Sequence, residues 1–215
     1  MSLEELRRQY TIGGIDEAGM PNDPIALFGD WMQAALDNAP QEWVEPYAMT
    51  LATSDPSGSV SARVVLLRGF SDDGFVFYTN YESAKGKQLA ANAQAALVFY
   101  WGYLERQVRV QGVVSKVSRE QSLQYFHKRP RGSQIGATIS RQSQAIANRQ
   151  VLEEKVESFV AKVGDEEIAL PDDWGGYQLK ASEIEFWQGR ANRLHDRLVY
   201  SSGSDDSWAL RRLSP

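Results

Sequence analysis

Cysteine is absent from this 215-residue chain, and histidine occurs only twice. Without a thiol there is no disulfide framework, no thiolate nucleophile and no zinc–thiolate centre. His127 and His195 stand far apart and no H-E-x-x-H occurs, so a histidine-based metal site has little support. Also missing are a G-x-G-x-x-G after a predicted strand, a G-x-x-x-x-G-K-[ST] and a G-x-S-x-G elbow. Those absences remove the usual dinucleotide fingerprint, the P-loop and the commonest serine hydrolase arrangement. No apolar run reaches membrane-spanning length, and Met1 to Arg8 lack a signal-peptide core, so a soluble cytoplasmic protein is expected. Positive charge is not in excess either. The net charge of −5 argues against a general nucleic-acid binder, which needs a broad basic surface to displace counterions. A small phosphorylated ligand needs only a few local arginines, and the overall balance leaves it open.

What is present suits a single domain over residues 1–215. The apolar fraction is 42%, the charged fraction 24%, and eight Phe, nine Tyr and six Trp supply a core and flat surfaces for stacking. Residues 1–10 read as a short amphipathic helix or arm, and the arm with its loop extends to about residue 22. Asp23-Pro24 is an N-cap with proline at the first helical position, and Ile25, Phe28, Trp31, Met32, Ala35 and Leu36 follow at helical spacing. Strands are predicted at Tyr47–Ser54, Ser59–Phe70 and Phe75–Thr79, separated by Asp-Pro-Ser-Gly and Asp-Asp-Gly turns. Ser83 caps a short helix to about Asn92. Ala95–Trp101 and Glu105–Val117 form a long hairpin, and Ser118-Arg119-Glu120-Gln121 is a capping box. Residues 131–163 are mostly helical, with a break near Ser140 to Ser143. Strands resume at Gly176–Lys180, Ile184–Gln188, Leu194–Tyr200 and Trp208–Leu213. Hairpin-linked strands with interspersed helices predict a mainly β, α+β fold: an antiparallel barrel or sheet with peripheral helices.

The densest chemistry lies in Glu185 to Arg197, where three arginines, a tryptophan and His195 share thirteen residues. In an extended strand Arg193, His195 and Arg197 would project from one face, an anion site with an acid/base group in its middle. A surface strand with solvated charges accounts for the pattern as well. Other local groupings are similarly two-sided. Arg63-Val64-Val65-Leu66-Leu67-Arg68 reads as a core strand with charged ends or as an anion-binding strand. Tyr78-Thr79-Asn80 followed by Ser83-Ala84-Lys85 offers hydroxyls, an ammonium and helix N–H groups to a phosphate, or simple capping. Gln107 can both donate to and accept from a ligand's amide edge. Tyr125 to Ser133 is a basic patch in which a phosphate held by Tyr125, Arg129 and Ser133 is a better use than nucleic acid, and Gln142-Ser143 adds a polar pair at the helix break.

Taken in order, these blocks resemble the pyridoxine/pyridoxamine 5′-phosphate oxidases over essentially the whole chain. The resemblance rests on Arg7 to Gly14, Arg63 to Arg68, Phe77 to Asn80, Leu104 to Val108, Tyr125 to Pro130 and Ser133 to Ala137. It continues through Trp174 to Tyr177, Glu185 to Gly189 and Arg193 to Arg197. It implies an FMN-binding split β-barrel that forms a homodimer with flavins at the interface. Its substrates would be pyridoxine 5′-phosphate and pyridoxamine 5′-phosphate, oxidised to pyridoxal 5′-phosphate by hydride transfer from C4′ to FMN. O2 would be the electron acceptor, giving H2O2, with ammonia released from the amine. By the same resemblance FMN is held by Arg63, Val64, Val65, Leu66, Leu67 and Arg68, by Tyr78, Thr79 and Lys85, and by Gln107, Gln142, Ser143, Trp187 and Arg197. Some of these come from the partner subunit. Arg68, Tyr125, Arg129 and Ser133 grip the substrate phosphate, and Arg193, Leu194 and His195 face the ring. Arg193 and His195 are the implied catalytic pair, Arg7 and Tyr10 cover the site, and Arg190 is left as a surface charge.

Two positions depart from the family pattern. Arg68 stands where lysine is common, and Ala84-Lys85 where many members have Arg-Lys. The first re-tunes the phosphate grip through a planar fork, and the second removes one contact to the FMN phosphate. Two alternatives stay open: a related flavin oxidase of the phenazine-precursor type, or a non-catalytic flavin- or vitamer-binding protein.

Overall fold

The computed structural model describes residues 2, 8–203 and 207–215. Arg7, expected over the site, lies outside them. Nine antiparallel strands form one curled sheet in the order β2-β1-β5-β6-β7-β4-β3, with β8 on β7 and β9 on β8. The strands are β1 (Ala48–Ser54), β2 (Val60–Leu66), β3 (Gly69–Ser71), β4 (Gly74–Asn80) and β5 (Gln94–Trp101). They continue with β6 (Arg106–Lys116), β7 (Trp174–Gln188), β8 (Asp196–Ser202) and β9 (Trp208–Arg212). Around them pack α1 (Pro24–Asp37), α2 (Ala84–Ala91), α3 (Arg119–Lys128), α4 (Arg131–Ile139) and α5 (Gln150–Val163). The expected antiparallel sheet with peripheral helices is the architecture observed.

Capping sets the helix starts. Asp23 accepts from the Ile25 N–H at 2.8 Å with Pro24 at the first helical position, Ser83 accepts from Gly86, and Ser118 accepts from Gln121. From α1, Leu27, Phe28, Trp31, Met32 and Ala35 enter the core enclosed by the sheet. Phe28 is fully buried, with its ring centroid 4.9–5.0 Å from those of Phe70, Phe75 and Phe99. Burial of such a side chain stabilises by about 1.5–3 kcal/mol, so Phe28→Ala would leave a large cavity at the centre of the core. A second, smaller cluster of Phe126, Ile135, Ile168, Leu170 and Trp174 fixes α3 and α4 against the start of β7.

The forecast of strands and helices needs four corrections. Ser59–Phe70 is two strands, broken at Leu67-Arg68, where the Arg68 N–H donates to Val76 O at 2.8 Å. Gly176–Lys180 and Ile184–Gln188 are one strand, β7, in which a bulge opposite Gln111/Gly112 absorbs the polar interruption. Gly112 is required there because a Cβ would collide with the Lys180 carbonyl. The helix break is longer than Ser140–Ser143, since α4 ends at Ile139 and α5 begins at Gln150. Lastly, Leu194 and His195 precede β8. Ala191–Arg193 form a 3-10 turn in which Asn192 and Arg193 have φ of 58° and 62°.

Candidate functional site

Strand β2, the end of β4, the first turn of α2 and the α3–α4 junction enclose a cavity of about 630 Å³. Arg63, Arg68, Lys85 and Arg129 line it, and its lining includes no carboxylate. Four cations without an acid make it a site for anions. Arg63 is steadied by Thr53 Oγ1 at 2.6 Å, by Leu51 O and by Gln88 Oε1. Lys85, 8% exposed, donates to Gln142 Oε1 at 2.7 Å and to Thr79 Oγ1 at 3.3 Å. Burial, with a smaller contribution from Arg63, lowers the pKa of its ammonium. Arg129 lies 4.7 Å from the centroid of Trp174, and its Nη1 is buried without a hydrogen-bond partner. An orphaned buried guanidinium nitrogen costs stability unless a ligand satisfies it. Burial lowers its pKa as well, and the nearby Arg68 adds to that effect. Beside it, the first turn of α4 has no side-chain cap, and Pro130 and Ser133 line the cavity. Tyr125 stacks on Tyr78 at 3.8 Å, and its ring lies parallel to that of Trp174, forming an aromatic wall.

A second pocket lies elsewhere on the chain, lined by Arg8, Gln9, Tyr10, Trp187, Arg190, Asn192, Arg193 and His195. The Arg190 N–H donates to His195 Nδ1 at 3.1 Å. A ring nitrogen that accepts carries no proton, so in the neutral imidazole this bond selects the tautomer whose donor is Nε2–H. The Tyr10 ring meets His195 edge-on at 5.4 Å and Trp187 at 5.7 Å. Arg193 projects from a residue in left-handed backbone, a conformation costing about 1–2 kcal/mol for a non-glycine residue and concentrated at functional sites. Arg197, on β8, makes a bidentate pair with Glu185 at 2.7 and 3.1 Å, which raises its pKa. Glu185 also takes Arg109 at 2.8 Å.

The expected residues therefore fall into two groups. Arg63, Val64, Val65, Leu66, Arg68, Tyr78, Thr79, Lys85 and Gln142 share the cationic cavity with Tyr125, Arg129 and Ser133. Tyr10, Trp187, Arg193 and His195 share the second pocket. Leu67 is a core residue, Ser143 lines a neighbouring loop cavity, and Leu194 is exposed beside the second pocket. Gln107 lies opposite Trp187, and Trp187 opposite Arg197, on adjoining strands. Arg190 keeps a half-exposed guanidinium 3.7 Å from Asp196, and its contribution to the pocket is the backbone N–H that bonds His195. Arg8, Gln9 and Asn192 went unselected in the sequence because nothing local marks a contact spanning some 180 residues. Trp174, the platform beneath Arg129, carried a signal only as part of the Trp-Gly-Gly-Tyr block.

Residues 36–162 match the family described as pyridoxamine 5′-phosphate oxidase. Residues 174–215 match the pyridoxine 5′-phosphate oxidase C-terminal dimerisation region. Relatives named pyridoxine/pyridoxamine 5′-phosphate oxidase include one from Trichormus variabilis, 50% identical over 100% of this chain and 99% of its own length. Another, from Rhodopirellula baltica, is 46% identical over 100% of this chain and 97% of its own. Among solved structures, PhzG from Burkholderia lata in complex with tetrahydrophenazine-1-carboxylic acid has a TM-score of 0.85 and 28% identity. That match covers 92% of this chain and 95% of PhzG. An FMN binding protein from Nostoc punctiforme, related to pyridoxamine 5′-phosphate oxidase, has a TM-score of 0.74 at 16% identity over 91% of this chain and 100% of its own, a likeness of fold alone.

Proposed function

The chain belongs to the pyridoxamine 5′-phosphate oxidase family, and from that premise we propose that it oxidises pyridoxine 5′-phosphate and pyridoxamine 5′-phosphate to pyridoxal 5′-phosphate, with FMN as cofactor. The observation that carries this reading is the gathering of Arg63, Arg68, Lys85 and Arg129, without a lining carboxylate, in one cavity of a net acidic chain. Two phosphates, one on the flavin and one on the substrate, supply the missing negative charge. Arg63 and Lys85, braced by Thr53, Gln88 and Gln142, suit the flavin phosphate. Arg129, with its unpartnered Nη1, suits the substrate phosphate together with Arg68, Tyr125 and Ser133. When bound, FMN supplies a two-electron acceptor for hydride from C4′, and O2 restores it with release of H2O2.

The ring end of the substrate is assigned to Arg193 and His195, and the flavin edge to Gln107, Trp187 and Arg197. None of these lines the cavity, and Trp187, Arg193 and His195 line the second pocket instead. All of them but Gln107 fall within residues 174–215, the segment that matches a dimerisation region. A homodimer that seats one protomer's second pocket over its partner's cavity reconciles the two. His195 then presents Nε2–H to the 3-hydroxyl or the 4′ substituent, and Arg193 steadies charge that develops on the ring. Anchoring the phosphate at the far end holds C4′ in register for transfer. The alcohol yields the aldehyde directly; the amine yields an imine, and water releases ammonia from it.

Oxygen uptake with pyridoxine 5′-phosphate, followed together with appearance of the aldehyde, tests this. Full flavin loading with no turnover would sink the reading and turn attention to a phenazine-type substrate or a binding role.

A further inference from the structure

The turn between β5 and β6 carries a glutamate where glycine is the ordinary choice. Glu105 has φ of 54°, in the left-handed region, at the last position of the Gly102–Glu105 turn. Its side chain is only 2% exposed. Oε2 accepts from the Thr11 N–H at 2.7 Å and from the Ile12 N–H at 2.9 Å, and Arg8 donates to Oε1 at 3.3 Å. Its backbone carbonyl accepts from the Gly189 N–H at 2.7 Å and from Gln188 Nε2 at 3.2 Å. One residue thus ties the N-terminal arm to the end of β7, where the turn bearing Arg190 to His195 departs. Tyr10 lies beside that tie, against His195 and Trp187. Gly189 leaves it room, since a Cβ there would come within 2.8 Å of the Tyr10 ring.

We propose that Glu105 is a positioning residue that seats Tyr10 against His195 and so sets the closed form of the arm over the ring end of the substrate. A side chain in this unfavourable backbone conformation is explained by what it holds: a carboxylate taking two consecutive amide N–H groups makes strong, charge-assisted bonds that glycine cannot make. The Arg8 contact adds little, because Arg8 is 62% exposed. Glu105 lines neither the cationic cavity nor the His195 pocket, so it acts through Tyr10. The proposal rests on the reading of the Arg193–His195 pocket as the ring end of the site.

The test compares Glu105→Gly, which suits the backbone, and Glu105→Gln, which keeps the volume, with Tyr10→Ala and the Glu105→Gly/Tyr10→Ala double variant. Hydrogen exchange at the Thr11 and Ile12 amides should quicken about tenfold or more in Glu105→Gly, which removes the charge-assisted bond of each. KM for pyridoxine 5′-phosphate should rise about tenfold on the same basis, with kcat changed less and FMN affinity unaltered. Glu105→Gln should fall between the parent and Glu105→Gly. In the Tyr10→Ala background the Glu105 substitution should add nothing further to KM. Protected Thr11 and Ile12 amides in Glu105→Gly, or KM effects that multiply in the double variant, would overturn the proposal. Exchange needs no turnover. A parent protein inactive on pyridoxine 5′-phosphate would thus fail the catalytic reading while exchange still decides whether Glu105 holds the arm.

Discussion

The cationic cavity and the His195 pocket are both rich in arginine, yet they handle that charge in opposite ways. In the cavity Arg63, Arg68, Lys85 and Arg129 meet no lining carboxylate. Around the His195 pocket Arg8 pairs with Glu105, Arg190 with Asp196, and the neighbouring Arg197 with Glu185. Only Arg193 lacks a carboxylate partner among the described residues there. A surplus of uncompensated charge marks where a ligand must bring its own. Compensated charge marks groups held in place by the protein itself, and the single exception is the group assigned to the reacting ring.

Substitutions of one residue type should therefore give different signatures in the two regions. Arg193→Leu should have the largest effect, lowering kcat/KM about 100- to 1,000-fold while FMN binds normally. Steady-state kinetics beside a flavin titration checks this, and an unchanged kcat/KM refutes the assignment. Arg129→Met should lower kcat/KM about 100-fold, chiefly through KM. The same change should raise the melting temperature of the ligand-free protein, because a buried unpartnered donor costs about 1–3 kcal/mol. A lowered melting temperature would mean that Nη1 is already satisfied. Arg197→Leu should carry the opposite sign, destabilising by about 2 kcal/mol, since Glu185 is 4% exposed and would keep only Arg109. It should also weaken FMN binding, visible by flavin fluorescence. The smallest effect concerns pH. Burial and Arg63 lower the Lys85 pKa in the free protein, whereas a bound phosphate keeps the ammonium charged. FMN affinity should then decline as pH rises through a value below the ordinary lysine 10.5, and Lys85→Arg should remove the decline. An affinity that stays flat until pH passes the ordinary lysine value of 10.5 would contradict the assignment.

The cavity was the more legible of the two regions, for a physical reason. Its groups sit on regular elements announced by short-range signals: the Ser83 cap before Lys85, the Ser118 capping box before Tyr125, and the turn residues that bound β4. The His195 pocket is built from contacts distant in sequence. Alternation suggested that Arg193, His195 and Arg197 share a strand face, but left-handed backbone at Asn192 and Arg193 turns the chain before β8 begins. Asparagine tolerates that conformation, so the sequence permitted the turn without demanding it. The arm's attachment was hidden still more deeply. Thr11 and Glu105 are 94 residues apart, and nothing near either announces the other. Similarly, β7 looked like two strands because the polar stretch around Ser182 interrupts its pattern, and only the pairing partner β6 shows that a bulge carries the chain through.

That continuity of β7 has a consequence for how the molecule can change over time. Its first half pairs with β4, register-matching Gly175 and Gly176 to Thr79 and Tyr78 at the cavity wall. Its second half pairs with β8, matching Trp187 to Arg197. One strand thus works as a caliper between two binding surfaces, with its setting fixed by the bulge at Gln111/Gly112. A residue inserted or lost between Lys180 and Glu183 would not damage either surface directly. It would flip the facing of every later side chain in the strand and misalign the two surfaces. Changes of length should accordingly be tolerated in loops away from the two surfaces and almost forbidden in that single strand.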